Sequence, residues 1–218
     1  MMQSSLAQAL RLAGRVMLAG GLLFLAAILW LYFAPGLPVF ADGAGATLFR
    51  VAGVLGVLLT GAGVLLLYPL IASEGGPEGN LWATLGAAVV VLALLAYIFV
   101  TIFPPAAEPS RTDLAASILA FWVRPVGFLL FAFSLVRADI LFGRALLVFL
   151  VAAFELPVLP NLALGLAGTP ASPEWPVLLF GLPEVQTGLL GALAWLLLGV
   201  SALELGREAG ELVLPRNL

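Results

Sequence analysis

The sequence predicts an all-α fold, a polytopic transmembrane helix bundle of six spans with both termini in the cytoplasm. Of the 218 residues, 63% are hydrophobic and only 10% are charged, a composition outside the range of soluble domains. The apolar residues also form repeated runs of about 18 residues or more, the length that a helix needs to cross a bilayer. A single membrane domain is therefore expected to fill residues 1–218.

The first three spans are predicted at residues 16–33, 48–71 and 81–103. The first ends in Trp30 and Tyr32, aromatic residues that suit the membrane–water interface. Small residues before Asp42 leave open that this segment is a cleaved signal peptide, although its apolar run is longer than a typical signal core. Pro104 and Pro105 stop the third span because proline cannot continue a helix.

The last three spans are predicted at residues 114–136, 145–167 and 184–203. Ser110 or Thr112 is placed to cap the fourth helix, with Asp113 in its first turn. A short polar turn follows Arg137, so the fourth and fifth helices should be antiparallel neighbours.

Small residues at four-residue spacing predict close contacts between helices. Ala52, Gly56 and Thr60 follow this spacing in the second span, and Gly188 and Ala192 follow it in the last. Such rows let two helix backbones approach each other. The alternative is the general richness of the chain in glycine, of which there are 24 residues.

Six spans put both termini on one side, and the arginines indicate which side. A cytoplasmic N-terminus leaves Arg50 and Arg111 outside and places six arginines inside, namely Arg11, Arg15, Arg137, Arg144, Arg207 and Arg216. Cytoplasmic loops carry the excess of basic residues, which favours this orientation in a cell (inner) membrane. Arginine without any lysine, with abundant Ala, Gly, Leu and Pro, is typical of a GC-rich or thermophilic bacterial genome.

Arg124 and Glu155 interrupt the central apolar segments. Arg124 lies 13 residues before Arg137, about 20 Å of helix, and Glu155 lies 11 residues after Arg144, about 16 Å. Both should lie near the middle of a hydrocarbon core about 30 Å thick, where a lone charge costs about 3 kcal/mol. We therefore expect an intramembrane salt bridge between a charged Arg124 and an ionised Glu155.

This pair has three interpretations. It is a structural device that sets helix register, or part of a proton, ion or substrate site, or one of its charges reaches an interface. Helix breaks are predicted at Pro125, Pro157 and Pro160. Carbonyls freed near Glu155 and Asn161 would form an oxygen-rich spot like those in transporters, whereas the alternative is a simple kink.

Composition narrows the function further. The chain contains no Cys, His or Lys, so disulfides, the usual zinc and haem ligands, and Schiff bases are unavailable, and no cofactor or metal is predicted. A net charge of −3 argues against a nucleic-acid partner. The bilayer is the expected partner, with a membrane protein or a second copy of the chain as a further one.

The sequence favours a non-catalytic membrane protein, such as a scaffold, an accessory subunit or an assembly factor. The alternative is a small transporter or channel component with a proton, cation or small-solute site at Glu155, Arg124 and Asn161. An intramembrane enzyme is the third hypothesis, and the sequence places no second catalytic carboxylate at membrane depth.

Overall fold

The computed structural model describes residues 2–33, 44–69, 71, 76–103, 110–137 and 188–211. All regular elements in these ranges are helical, which confirms the predicted all-α class for this part of the chain. The helices are α1 (Met2–Phe33), α2 (Ala44–Leu65), α3 (Gly76–Ile102), α4 (Arg111–Ile118), α5 (Arg124–Arg137) and α6 (Leu189–Glu211). A five-residue π-helical turn, Leu119–Val123, connects α4 to α5.

Three of these helices are long and apolar enough to cross a membrane. Their apolar segments are Leu6–Trp30 in α1, Asn80–Val100 in α3 and Leu189–Gly210 in α6. A shorter apolar segment, Val51–Leu65, lies in α2. The predicted fifth span, residues 145–167, lies outside the described residues, so the count of six spans stays a prediction.

The helix bounds differ from the predicted spans at several ends. Helix α1 begins at Met2, so Arg11 and Arg15 lie within the helix rather than before it. Helix α2 ends at Leu65, but after a turn at residues 66–67 the chain is helical again at residues 68, 69 and 71, and the N–H of Ile71 donates to the carbonyl oxygen of Leu67 at 3.3 Å. Apolar runs mark the part of a helix that is buried or in lipid, whereas the helix itself ends where its backbone hydrogen bonds end.

Helices α1 and α6 pack antiparallel through glycine. A Cβ atom on Gly14 would lie 2.7 Å from the carbonyl oxygen of Gly199, and one on Gly206 would lie 3.0 Å from that of Ala7. The start of α1 therefore lies beside the end of α6. Arg11 strengthens this contact, because its Nε–H donates to the carbonyl oxygen of Gly206 at 3.0 Å.

The other neighbouring helices are antiparallel as well. In α1 and α2, Gly20 lies against Thr60 and Met17 lies against Gly63. Helices α2 and α3 are in contact at two places, where Gly61 lies against Leu94 and Tyr68 lies against Thr84. Helices α3 and α5 are likewise in contact where Gly86 lies against Phe131 and where Val90 lies against Gly127. The starts of α1 and α3 and the ends of α2, α5 and α6 therefore share one end of the bundle. We name it the Arg137 end and its opposite the Arg111 end.

Aromatic packing connects α5 to α6 inside the bundle. The rings of Phe128 and Trp195 meet edge to face with centroids 5.5 Å apart, and both side chains are fully buried. Phe24 of α1 and Phe131 of α5 are also fully buried in the same core. The packing thus joins α1, α2, α3, α5 and α6 into one hydrophobic core.

The close approach of α1 and α6 makes Gly14 intolerant of a side chain. Gly14→Leu should lower the free energy of unfolding in detergent by about 3 kcal/mol, because the new atoms would overlap the backbone at Gly199. The matched control is Ala19→Leu on an exposed face of α1, expected to change it by less than about 0.5 kcal/mol. Equal effects of the two substitutions on chemical unfolding would contradict this close packing.

Candidate functional site

Arg124 is the buried charge of the described residues. Its side chain is only 1% exposed, and it is the first residue of α5, directly after the π-helical turn. Pro125 follows it, and a proline ring collides with the carbonyl four residues earlier, here that of Phe121. The wider π-helical turn relieves this collision. The helical path thus continues through Pro125, and the distortion lies just before it.

A capping box fixes the start of the helix that leads to Arg124. The Ser110 hydroxyl accepts a hydrogen bond from the backbone N–H of Asp113 at 3.2 Å, and the Asp113 carboxylate accepts one from the N–H of Ser110 at 3.0 Å. Two backbone donors at the helix start are satisfied in this way. Of the two caps that the sequence allows, the structure uses Ser110.

The guanidinium of Arg124 lies over the ring of Tyr97. Its Cζ atom is 5.8 Å from the ring centroid, and Tyr97 is only 3% exposed. A cation over an aromatic ring is stabilised by the negative face of the ring, by about 2 kcal/mol where water is excluded. Sequence analysis missed this partner, because it requires knowing that α3 and α5 are antiparallel and in which register.

Gly127 allows α3 and α5 to come close enough for this contact. A Cβ atom on Gly127 would lie 2.8 Å from Cγ2 and 3.0 Å from the backbone nitrogen of Val90, so a side chain there would push the two helices apart. Gly127 lies three residues after Arg124 and therefore on the same helix face. The face that presents Arg124 to α3 is thus the face that packs most tightly against it.

The guanidinium of Arg124 lies beside the last turns of α3, where it contacts Tyr97. Tyr97 is three residues before Val100, the end of the apolar segment of α3, which is about 5 Å of helix. Side chains on a helix lean toward its N-terminus, and in α5 that direction leads toward the end of α3. The mid-membrane depth of this charge stays a prediction.

Other predicted site residues fall partly outside the described ranges. Those outside are Glu155, Pro157, Pro160 and Asn161, so the salt bridge to Glu155 stays a prediction.

Of the predicted packing residues, Gly56 and Thr60 contact α1, because a Cβ atom on Gly20 would lie 3.1 Å from the Gly56 carbonyl oxygen and 2.6 Å from Thr60 Cγ2. Ala52 is half-buried, and Gly188 and Ala192 are buried.

The buried polar side chains of the described residues are Thr60, Arg124 and Ser134. The Thr60 hydroxyl donates to the carbonyl oxygen of Gly56 at 2.8 Å, and the Ser134 hydroxyl donates to that of Leu130 at 3.0 Å. Both bonds lie within one helix, so these hydroxyls are satisfied locally. Within the described ranges, no three His, Cys, Asp or Glu side chains are close enough together to hold a metal ion.

Together the fold and the site define a helical protein with three candidate membrane-spanning segments and a buried arginine–tyrosine contact. No protein-family model, curated protein or solved structure matches the chain.

The Arg124–Tyr97 contact predicts different effects for two ring deletions. Tyr97→Leu should lower the free energy of unfolding by about 2 kcal/mol or more, since the ring is buried against a desolvated cation. Tyr97→Phe keeps the ring and should cost about 1 kcal/mol at most. The control is Phe133→Leu, which removes a ring from the exposed pair of Arg137 and Phe133 and should cost less than about 1 kcal/mol. A Tyr97→Leu protein as stable as Phe133→Leu would argue against a stabilising contact.

Proposed function

We propose that this chain is a multi-pass protein of the cell membrane with a non-catalytic role, as a scaffold, an accessory subunit or an assembly factor. The observation that supports this role is that the buried hydroxyls of the described residues are satisfied within their own helices, whereas the buried Arg124 keeps one guanidinium nitrogen, Nη1, without a hydrogen-bond acceptor among these residues. Thr60 and Ser134 donate within their own helices, and Arg124 lies over the Tyr97 ring. Catalytic and transport sites instead bring several polar groups from different elements toward one shared space.

The distribution of arginine supports a cytoplasmic Arg137 end. Arg11 and Arg15 near the start of α1, Arg137 at the end of α5 and Arg207 near the end of α6 belong to this end of the bundle. Arg111 belongs to the opposite end, where α4 begins. Arg11, Arg15 and Arg207 lie within the outer turns of the apolar segments of α1 and α6, and an excess of arginine toward one end of the spans favours the cytoplasmic side for that end. Both termini are accordingly proposed to be cytoplasmic, with six spans in total.

The outer surface of the bundle supports the bilayer as its partner. Large apolar side chains are exposed on several helices, among them Leu22, Leu55, Leu92, Leu95 and Leu197. A soluble monomer rarely exposes so many, whereas lipid tails solvate them. The same kind of surface can receive a membrane-protein partner or a second copy of the chain.

One observation favours a second candidate, a small transporter or channel component. A π-helical turn lies directly before the buried Arg124, and such turns inside helices are frequent at functional sites. The site would combine Arg124 with Glu155 and Asn161. An intramembrane enzyme has less support, because no carboxylate is buried among the described residues.

A double-mutant cycle on Arg124→Gln and Glu155→Gln tests the proposed structural role. Each single change should lower the free energy of unfolding by about 3–5 kcal/mol, since it leaves a buried charge uncompensated, and the double variant should recover much of that loss. The measurement is chemical unfolding in detergent. Arg15→Gln, at an exposed position of α1, is the control and should change stability by less than about 0.5 kcal/mol.

Two results would contradict the scaffold role. The first is weak coupling together with a neutral or stabilising Glu155→Gln. The second is proton or cation flux in liposomes that carry the wild-type protein and its loss in Glu155→Gln. Co-purification in mild detergent adds an independent readout, because a subunit or assembly factor should retain its membrane-protein partner.

A further inference from the structure

Three side chains form a cluster at the Arg137 end of the bundle. The Cζ atom of Arg137 lies 5.6 Å from the centroid of the Phe133 ring, and this ring meets Trp82 edge to face at 5.8 Å. Trp82 is 36% exposed and Phe133 is 39% exposed, and Arg137 is exposed as well. We name these three residues the aromatic–arginine cluster.

Helix geometry explains why the cluster forms. Phe133 and Arg137 are four residues apart and therefore neighbours on one face of α5. The arginine side chain leans toward the start of its helix, which brings the guanidinium back over the ring. A Cβ atom on Gly86 would lie 2.9 Å from the backbone nitrogen of Phe131, so α3 approaches α5 closely here and brings Trp82 to Phe133.

The cluster lies where the apolar surface begins. The apolar segment of α3 starts at Asn80, and Trp82 is two residues further on, about 3 Å along the helix. Four residues into the apolar segment, the Thr84 hydroxyl lies 3.0 Å from that of Tyr68 and donates to the Asn80 carbonyl oxygen at 2.8 Å, so this polar pair is satisfied between α2 and α3. Because Arg137 lies over the ring that contacts Trp82, its guanidinium lies near the start of the apolar segment.

We propose that the aromatic–arginine cluster binds the phosphate of an anionic phospholipid such as phosphatidylglycerol. This inference rests on the proposed function, since it requires a membrane protein. The planar guanidinium offers five N–H donors in a fork that matches phosphate oxygens, and tryptophan rings favour the headgroup level. Exposed Leu81, Leu85 and Val136 provide the apolar surface along which the acyl chains lie.

Charge and exposure select Arg137 for this role. The Arg137 end also carries three further arginines and four glutamates, namely Arg11, Arg15, Arg207, Glu78, Glu204, Glu208 and Glu211. The attraction for an anionic headgroup is therefore local to the exposed guanidinium and not a property of the whole end. Within the described residues, the arginines that lie over aromatic rings are Arg124 and Arg137. Arg124 is 1% exposed and thus out of reach of a lipid. Arg137, in contrast, is exposed and lies near the start of the apolar segment of α3.

Lipid competition in nanodiscs of defined composition tests this proposal. The purified protein is placed in discs of phosphatidylcholine alone or with phosphatidylglycerol, and the lipids that it retains after extraction into mild detergent are counted by native mass spectrometry. The wild-type protein should retain phosphatidylglycerol in preference to phosphatidylcholine. Arg137→Gln should lower this preference about fivefold, the effect expected for one arginine at an anionic membrane surface.

Two further variants distinguish binding by the aromatic–arginine cluster from the attraction that any exposed arginine exerts on an anionic lipid. Arg111→Gln removes an exposed arginine from the opposite end and should leave the preference unchanged. Phe133→Leu keeps the charge but removes the ring that positions it, and should lower the preference in the same direction as Arg137→Gln. The unfolding midpoint in pure phosphatidylcholine shows that each variant is folded.

Three outcomes would overturn the proposal. The first is an equal loss of the preference for phosphatidylglycerol in Arg137→Gln and in Arg111→Gln. The second is an unchanged preference in both Arg137→Gln and Phe133→Leu. The third is displacement of phosphatidylglycerol by inorganic phosphate at equal concentration. The last would mean a simple phosphate site without a role for acyl chains. A wild-type protein that does not enter lipid discs at all would instead refute the membrane assignment, so the two failures are distinguishable.

Discussion

The rest of the structure depends on the close approach of antiparallel helix backbones. Lipid tails are as apolar as leucine, so burying leucine between two helices gives little driving force in a membrane, and packing contacts must supply it. Gly14 with Gly199, Gly20 with Gly56 and Thr60, and Gly86 with Phe131 are three such contacts between different helix pairs. Each one fixes how far apart two helices lie and how they are aligned along their axes.

That alignment determines what Arg124 meets. Because Gly127 rests against Val90, the first turn of α5 lies beside the last turns of α3, and the arginine finds the Tyr97 ring. The same register puts Trp82 beside Phe133 at the other end of the helix pair. One glycine-mediated interface therefore positions both a buried and an exposed cation over aromatic rings. The two sites differ in solvent access, because Arg124 is buried and Arg137 is exposed.

The sequence predicts the helical class of this fold well, because hydrophobic composition and the length of an apolar run can be read from neighbouring residues alone. It also identifies Ser110 and Asp113 as the start of a helix and Arg124 as a costly charge, since both signals lie within a few positions. The contact of Arg124 with Tyr97 depends on the register between distant segments, which the length of an apolar run does not encode. The π-helical turn was missed for a related reason: a proline indicates distortion but not its form.

The spacing of small residues between α1 and α6 has a consequence for folding. Ala7, Gly14 and Gly21 repeat every seven residues, and so do Ala192, Gly199 and Gly206. Sliding one helix by a single repeat, about 10 Å, would again place small residues opposite one another, so steric fit alone accepts more than one alignment. The ring contact between Trp195 and Phe128 is made in only one of them, because a shift of α6 by seven residues would place Gly188 or Ala202 where Trp195 now lies. A bulky aromatic pair inside the bundle thus removes the degeneracy that the glycine repeat creates.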